Sequence, residues 1–169
     1  LLEKAEAYAF GPEHIHFIGT LQTNKVRQII DRVSCVQSVN SIHLAQELQK
    51  RALAAGRTMD ILLEVNIGGE DSKTGMEQGA VTGMLEKLSN FSALRVKGLM
   101  CIPPFGRPPQ ETEGYFSRMH KIFVDIKDQK MDNISMEILS MGMTGDYQLA
   151  VRCGANLVRV GTGIFGKRI

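Results

Sequence analysis

The chain has 169 residues, 43% of them hydrophobic and 22% charged, and carries 20 Lys and Arg against 18 Asp and Glu. That is the balance of a packed globular protein, and a net charge of +2 offers no electrostatic footprint for a nucleic acid or a membrane surface. The length falls short of the ~250 residues usual for a closed eight-fold α/β barrel, and the three scattered cysteines, Cys35, Cys101 and Cys153, argue against a secreted disulfide framework and for reduced, buried thiols in the cytoplasm.

The amino terminus, Leu1-Leu2-Glu3-Lys4-Ala5-Glu6, reads as a helix entered part-way, without the apolar run of a signal peptide or membrane span. His14 and His16 lie two apart, but no Cys, Asp or Glu cluster completes a metal site, so no metal is expected. His16-Phe17-Ile18 is a short strand, followed by a polar turn and an amphipathic helix over 25–33 with Val26, Ile29, Ile30 and Val33 on one side. Residues 35–39 form the next strand; Ser41 caps a helix that carries Ile42, Leu44, Ala45, Leu48 and Leu53 and ends before Gly56. An apolar run over 61–67, broken by Glu64, precedes a Gly-rich acidic turn and a helix bearing Met76, Val81, Met84, Leu85 and Leu88.

A fourth strand spans 96–102. Pro103, Pro104, Pro108 and Pro109 enforce an extended loop before a helix that turns Tyr115, Phe116, Met119, Ile122, Phe123 and Ile126 inward. Residues 134–139 form the fifth strand, 140–145 a turn, and 157–160 the sixth strand after a helical stretch around Leu149, Ala150 and Val151. Strands separated by helices of this length require crossovers and hence a parallel sheet, either open and doubly wound or closed toward a barrel.

The last two strands end in Ser140-Met141-Gly142-Met143-Thr144-Gly145-Asp146 and Arg159-Val160-Gly161-Thr162-Gly163-Ile164-Phe165-Gly166. Glycines let a ligand approach the backbone, hydroxyls and free N–H groups attract an anion, and Arg159 adds a fixed cation, so the two turns read together as a phosphate cup. Gly161 to Gly166 also spells G-x-G-x-x-G, but a dinucleotide fingerprint needs a helix, a second strand and an acidic residue further on, and only Lys167, Arg168 and Ile169 follow. The loops after the last two strands are where barrels commonly bind phosphate. Asp146 reads as a helix-start residue and Lys73 as a solvated turn charge; Arg159 either points into the barrel mouth, which the Gly-Thr after it favours, or pairs with a carboxylate in the helix layer.

The segments His16-Phe17-Ile18-Gly19-Thr20-Leu21-Gln22-Thr23-Asn24-Lys25, Val65-Asn66-Ile67, Asp71-Ser72-Lys73-Thr74-Gly75, Lys97-Gly98-Leu99-Met100 and the two cup turns resemble, in order and over nearly the whole chain, the YggS/PROSC family of pyridoxal phosphate homeostasis proteins. The resemblance implies one (β/α)8 TIM-barrel-type domain related to the barrel half of alanine racemase, present here as a single partial domain over 1–169 with six βα units and the first two missing. It implies pyridoxal 5'-phosphate as a small-molecule cofactor, no established turnover and hence no catalytic residue, and neither a nucleic-acid nor a membrane partner. It places Ser140, Met143 and Thr144 at the cofactor's border, Gly161 and Thr162 at its phosphate, and His16 and Asn66 along the pocket. Arg159 would face the pyridine nitrogen; a guanidinium cannot accept a proton, so the ring would be a poor electron sink.

Thr20 stands where relatives often have His, and the family's Schiff-base lysine and Gly-Glu-Asn-Tyr-like segment have no counterpart before His16. Lys25, Lys73 and Lys97 lie in polar turns or at a strand start, so none is expected to replace that lysine, and weak, non-covalent binding is the expectation. With strand edges left open the fragment is expected to self-associate, and the full-length form to be a monomer. A barrel enzyme, of the amino-acid racemase type or acting on a phosphorylated metabolite, is the alternative; the first would need its lysine, a second catalytic base and an additional β domain, and the second an acid/base pair at the mouth, for which His16 and Glu64 are the candidates.

Overall fold

The computed structural model describes residues 10–70 and 73–166; the helical start expected over 1–6, the Asp71-Ser72 part of one motif and the tail from Lys167 lie outside them. Six strands make one sheet: β1 (His16–Phe17), β2 (Cys35–Val39), β3 (Met59–Glu64), β4 (Leu94–Met100), β5 (Ile134–Met143) and β6 (Leu157–Arg159). They lie side by side in sequence order and each neighbouring pair is parallel. An open doubly wound sheet needs a point where strand order reverses; here there is none, which decides for a partial (β/α) barrel.

The crossovers carry α1 (Val26–Ile29), α2 (Ile42–Ala54), α3 (Val81–Leu88), α4 (Pro109–Lys127) and α5 (Tyr147–Arg152), and a single turn, α6 (Thr162–Phe165), follows β6. Alternation along the strands divides the two faces. Val36, Ile61, Leu63, Leu99 and Leu139 join the main core with Leu44 and Leu48 of α2, Leu85 and Leu88 of α3, and Phe116 and Met119 of α4. Cys35, Leu62 and Met100 pack with Ile138 in a separate, smaller cluster on the opposite face.

That opposite face is concave. Gln37 on β2 and Ser140 on β5 are hydrogen-bonded at 2.7 Å, although two strands lie between them. At roughly 4.8 Å per strand a flat sheet would hold them about 14 Å apart, so the sheet curls enough to bring the two side chains together. Two ion pairs, Arg95–Asp60 at 2.6 Å and Lys97–Glu137 at 2.7 Å, lie toward the strands' amino-terminal ends.

Local chemistry explains the element boundaries. Ser41 Oγ accepts from the Leu44 N–H at 3.3 Å and starts α2. Asn133, at φ 54°, donates through Nδ2 to the carbonyls of Leu88, Phe91 and Leu94, tying the end of α3 and the start of β4 to the approach of β5. The helix expected over 25–33 is shorter than its periodicity suggests, because the Arg57 guanidinium takes the carbonyls of Ile30 and Val33 at 2.6 and 3.1 Å while both side chains stay buried. The helix expected from Met76 begins at Val81. Residues 140–143, expected as a turn, are strand: Ser140 pairs with Met100 on one side and Leu157 on the other, and Met143 with Arg159. Among the described residues no helix is long and apolar enough to cross a membrane.

Candidate functional site

The carboxyl ends of β3 to β6 converge on Arg159. Its side chain enters the concave face, as its alternation with Val158 and Val160 suggests: Nη1 donates to Ser140 Oγ at 2.6 Å and Nη2 to the Cys101 carbonyl at 2.9 Å. Burial lowers the Arg159 pKa, and Cys101, Asp146 and Glu64 oppose that shift. Cys101 itself is buried in the main core and its thiol is pushed up to about 12 by desolvation, so it stays a neutral group near the guanidinium. Arg159 Nε is buried and has no hydrogen-bond partner among the described residues. A buried donor left unmatched in a native site calls for a ligand or an explanation.

Ser140 is fully buried, and its hydroxyl donates to Gln37 Oε1 while accepting from Arg159. The amide of Gln37 continues to His16, with Nε2 and the ring Nδ1 2.8 Å apart. The sites expected at His16, Ser140 and Arg159 are therefore one hydrogen-bonded unit, linked by a glutamine that the sequence did not single out. Gln37 sits inside an apolar strand, where periodicity reports only its face; a buried polar residue in such a run was the one available signal. Burial lowers the His16 pKa, with the Asp60 carboxylate acting against it.

The phosphate-cup residues meet a few residues away. The N–H groups of Gly161 and Gly163 both donate to Thr144 Oγ1, at 3.2 and 3.3 Å, so two backbone donors from the turn after β6 converge on one oxygen next to β5. A Cβ added at Gly163 would come within 3.0 Å of Thr144 Cγ2 and 3.2 Å of Val160 Cγ1, so a larger residue there requires those side chains to give by a few tenths of an ångström. Met143 is 43% exposed, and its N–H donates to Asp146 Oδ1 at 2.6 Å. Asp146 thus stands at the start of α5 as expected, but its carboxylate braces the preceding turn and makes no cap bond to the helix. Gly161 and Thr162 are exposed.

Asn66 is not drawn into this unit. Its Nδ2 donates to the Glu70 carbonyl at 2.8 Å and its Oδ1 accepts from the Glu70 N–H at 3.3 Å, clamping its own loop. Glu64, 5% exposed, accepts the Thr74 hydroxyl at 2.6 Å. Lys73 is no free solvated charge: it donates to the Pro103 carbonyl at 2.9 Å and pairs with Glu70 at 3.3 Å. Lys97 is likewise held, by Glu137 and Ser135. Cys35 and Cys101 are buried as expected, but Cys153 is half-buried.

The donor set suits a phosphorylated heteroaromatic ligand. At one end stands the Thr144 hydroxyl, which accepts two backbone amides and keeps its own proton to donate, and at the other a buried cation with an unmatched N–H, where an aromatic nitrogen can accept. Comparison with known proteins gives the same direction. Residues 3–168 match the family model described as alanine racemase, N-terminal domain. The chain is 38% identical over 167 residues to the pyridoxal phosphate homeostasis protein of Aquifex aeolicus, covering 99% of this chain and 72% of that one. Its fold superposes with TM-score 0.82 and 32% identity on PipY of Synechococcus elongatus with pyridoxal phosphate bound, over 89% of this chain and 69% of PipY. A protein of Bifidobacterium adolescentis superposes with TM-score 0.85 at 35% identity, over 92% of this chain and 64% of its own.

Proposed function

The chain belongs to the pyridoxal phosphate homeostasis family, with the alanine racemase type of fold, and on that premise we propose that its barrel mouth binds pyridoxal 5'-phosphate. One observation carries the assignment of the ring end: the buried Arg159 guanidinium, with Nη1 and Nη2 taken and Nε–H unmatched. In this reading Nε–H donates to the pyridine nitrogen, while Thr144, Gly161 and Thr162 hold the phosphate and Met143 borders the ring. Ser140 acts behind Arg159, since its buried hydroxyl is committed to Gln37 and the guanidinium. His16 lies at the far end of the same chain, and Asn66 shapes the loop at the rim.

Bound pyridoxal phosphate supplies a reactive aldehyde and a pyridine that, when protonated, withdraws electrons. Arg159 has no acceptor and stays cationic, so it offers the pyridine a donor and no proton acceptor of its own. That withholds the proton an electron sink requires, and supports a carrier over an enzyme with turnover. Lys73 and Lys97 are tied to carboxylates, which favours a grip of hydrogen bonds and charge over a covalent one to either of them. We further read the chain as a single partial barrel domain, monomeric in full-length form and cytoplasmic, in keeping with its free thiols.

Absorbance titration of the purified protein with pyridoxal phosphate tests this. The wild type is expected to saturate with a shifted spectrum, and Arg159→Met and Thr144→Val each to weaken binding about tenfold or more, the worth of one charge-assisted hydrogen bond. A wild type that leaves the spectrum unchanged, or an Arg159→Met variant that binds equally well, overturns the reading.

A further inference from the structure

Four side chains from four strands, Arg159 on β6, Ser140 on β5, Gln37 on β2 and His16 on β1, form one continuous chain with links of 2.6, 2.7 and 2.8 Å. Its direction follows from the chemistry of its fixed end. An arginine only donates, so Ser140 Oγ accepts from Nη1 and has its single proton left for Gln37 Oε1. With its oxygen taken, the amide turns Nε2 toward the ring, and an NH2 group can only donate. His16 Nδ1 must therefore accept, which leaves the ring's proton on Nε2.

We propose that Gln37 is a positioning residue of the barrel mouth: it passes the donor character of Arg159 across the concave face and holds His16 as the neutral Nε2–H tautomer. The same links hold the guanidinium, so Gln37 sets both the aim of Arg159 and the donor that His16 presents. A protonated ring would set an Nδ1–H against the amide's own N–H. The surroundings do not reverse this. Burial lowers the His16 pKa; Asp60 on β3 opposes it, and Cys35, the residue paired with His16 on β2, keeps its thiol, pushed up to about 12 by desolvation.

The proposal rests on the pyridoxal phosphate reading only for the ligand in the second arm of its test. In the first arm, nitrogen NMR of the ligand-free full chain reads the His16 ring, identified by its loss in His16→Gln. The wild type is expected to show the proton on Nε2. Gln37→Glu, which places a carboxylate oxygen against Nδ1, is expected to move the proton to Nδ1 or to both nitrogens. In the second arm, Gln37→Met is expected to bind pyridoxal phosphate about tenfold more weakly with an unchanged circular dichroism spectrum.

An Nδ1–H ring in the wild type, or a Gln37→Glu ring identical to it, overturns the proposal; so does undiminished binding by folded Gln37→Met. Should Gln37→Met not fold, the near-isosteric Gln37→Glu carries the test. A wild type that binds no pyridoxal phosphate sinks the functional reading, and the ligand-free arm then decides the relay by itself.

Discussion

His16 shows what one side chain's surroundings impose. Its ordinary pKa of 6.5 is lowered in the fold by burial, with Asp60 opposing, so between the folded and unfolded values the unfolded chain binds the proton and the folded one does not. The neutral ring therefore contributes stability that is present above 6.5 and is lost as pH falls through the lower folded value. Denaturant midpoints measured between about pH 7.5 and pH 5, a window above the carboxylate range, should fall in the wild type and change less in His16→Gln. A midpoint that falls equally in both would remove His16 as the source. The glycine and hydroxyl content of the turns bearing Thr144, Gly161 and Thr162 was legible in the sequence because a turn's chemistry is local. Gln37 was not, because its partners lie 21 residues before it and 103 residues after it.

The six strands and the five crossover helices were legible in number and kind, with errors at the ends where a distant group intervened; the single turn α6 after β6 was not. Arg57 ended α1 early by taking two carbonyls, and pairing on both sides carried β5 through Ser140 to Met143, where glycine and hydroxyl content alone suggested a turn. The join between β4 and β5 rests on Gly98. It sits at φ 152° within an irregular pairing, and an added Cβ would overlap the Ile138 carbonyl. Gly98→Ala should cost about 2 kcal/mol or more, since backbone must shift to admit the methyl. Calorimetric or denaturant unfolding checks it, and a change within about 0.5 kcal/mol, the range of an unstrained surface substitution, would show that the two strands part without cost.

At the scale of the whole molecule, the curl of the sheet makes the site. Strands β1 and β6 are the first and last in the sheet order, yet His16 and Arg159 are separated by only two intervening side chains. A ligand held between these residues should stabilise the whole sheet. With pyridoxal phosphate at about 100 times the wild-type dissociation constant, unfolding should become harder by about 2.7 kcal/mol; the thermal midpoint should rise, and in Arg159→Met, at the same ligand concentration and about tenfold weaker binding, the rise should shrink to about half or less. Equal shifts in both proteins would place the ligand elsewhere. The sequence by itself determined the alternation of strand and helix, the parallel sheet and the glycine- and hydroxyl-rich chemistry of the last two turns, because hydrophobic period and turn chemistry are encoded within a few neighbouring residues. Only the tertiary structure decided that β5 runs through Ser140, that Lys73 and Lys97 are tied down, and that Gln37 couples His16 to Arg159. Each of these depends on groups far apart in the chain, brought within hydrogen-bond distance by the packing and curvature of the sheet.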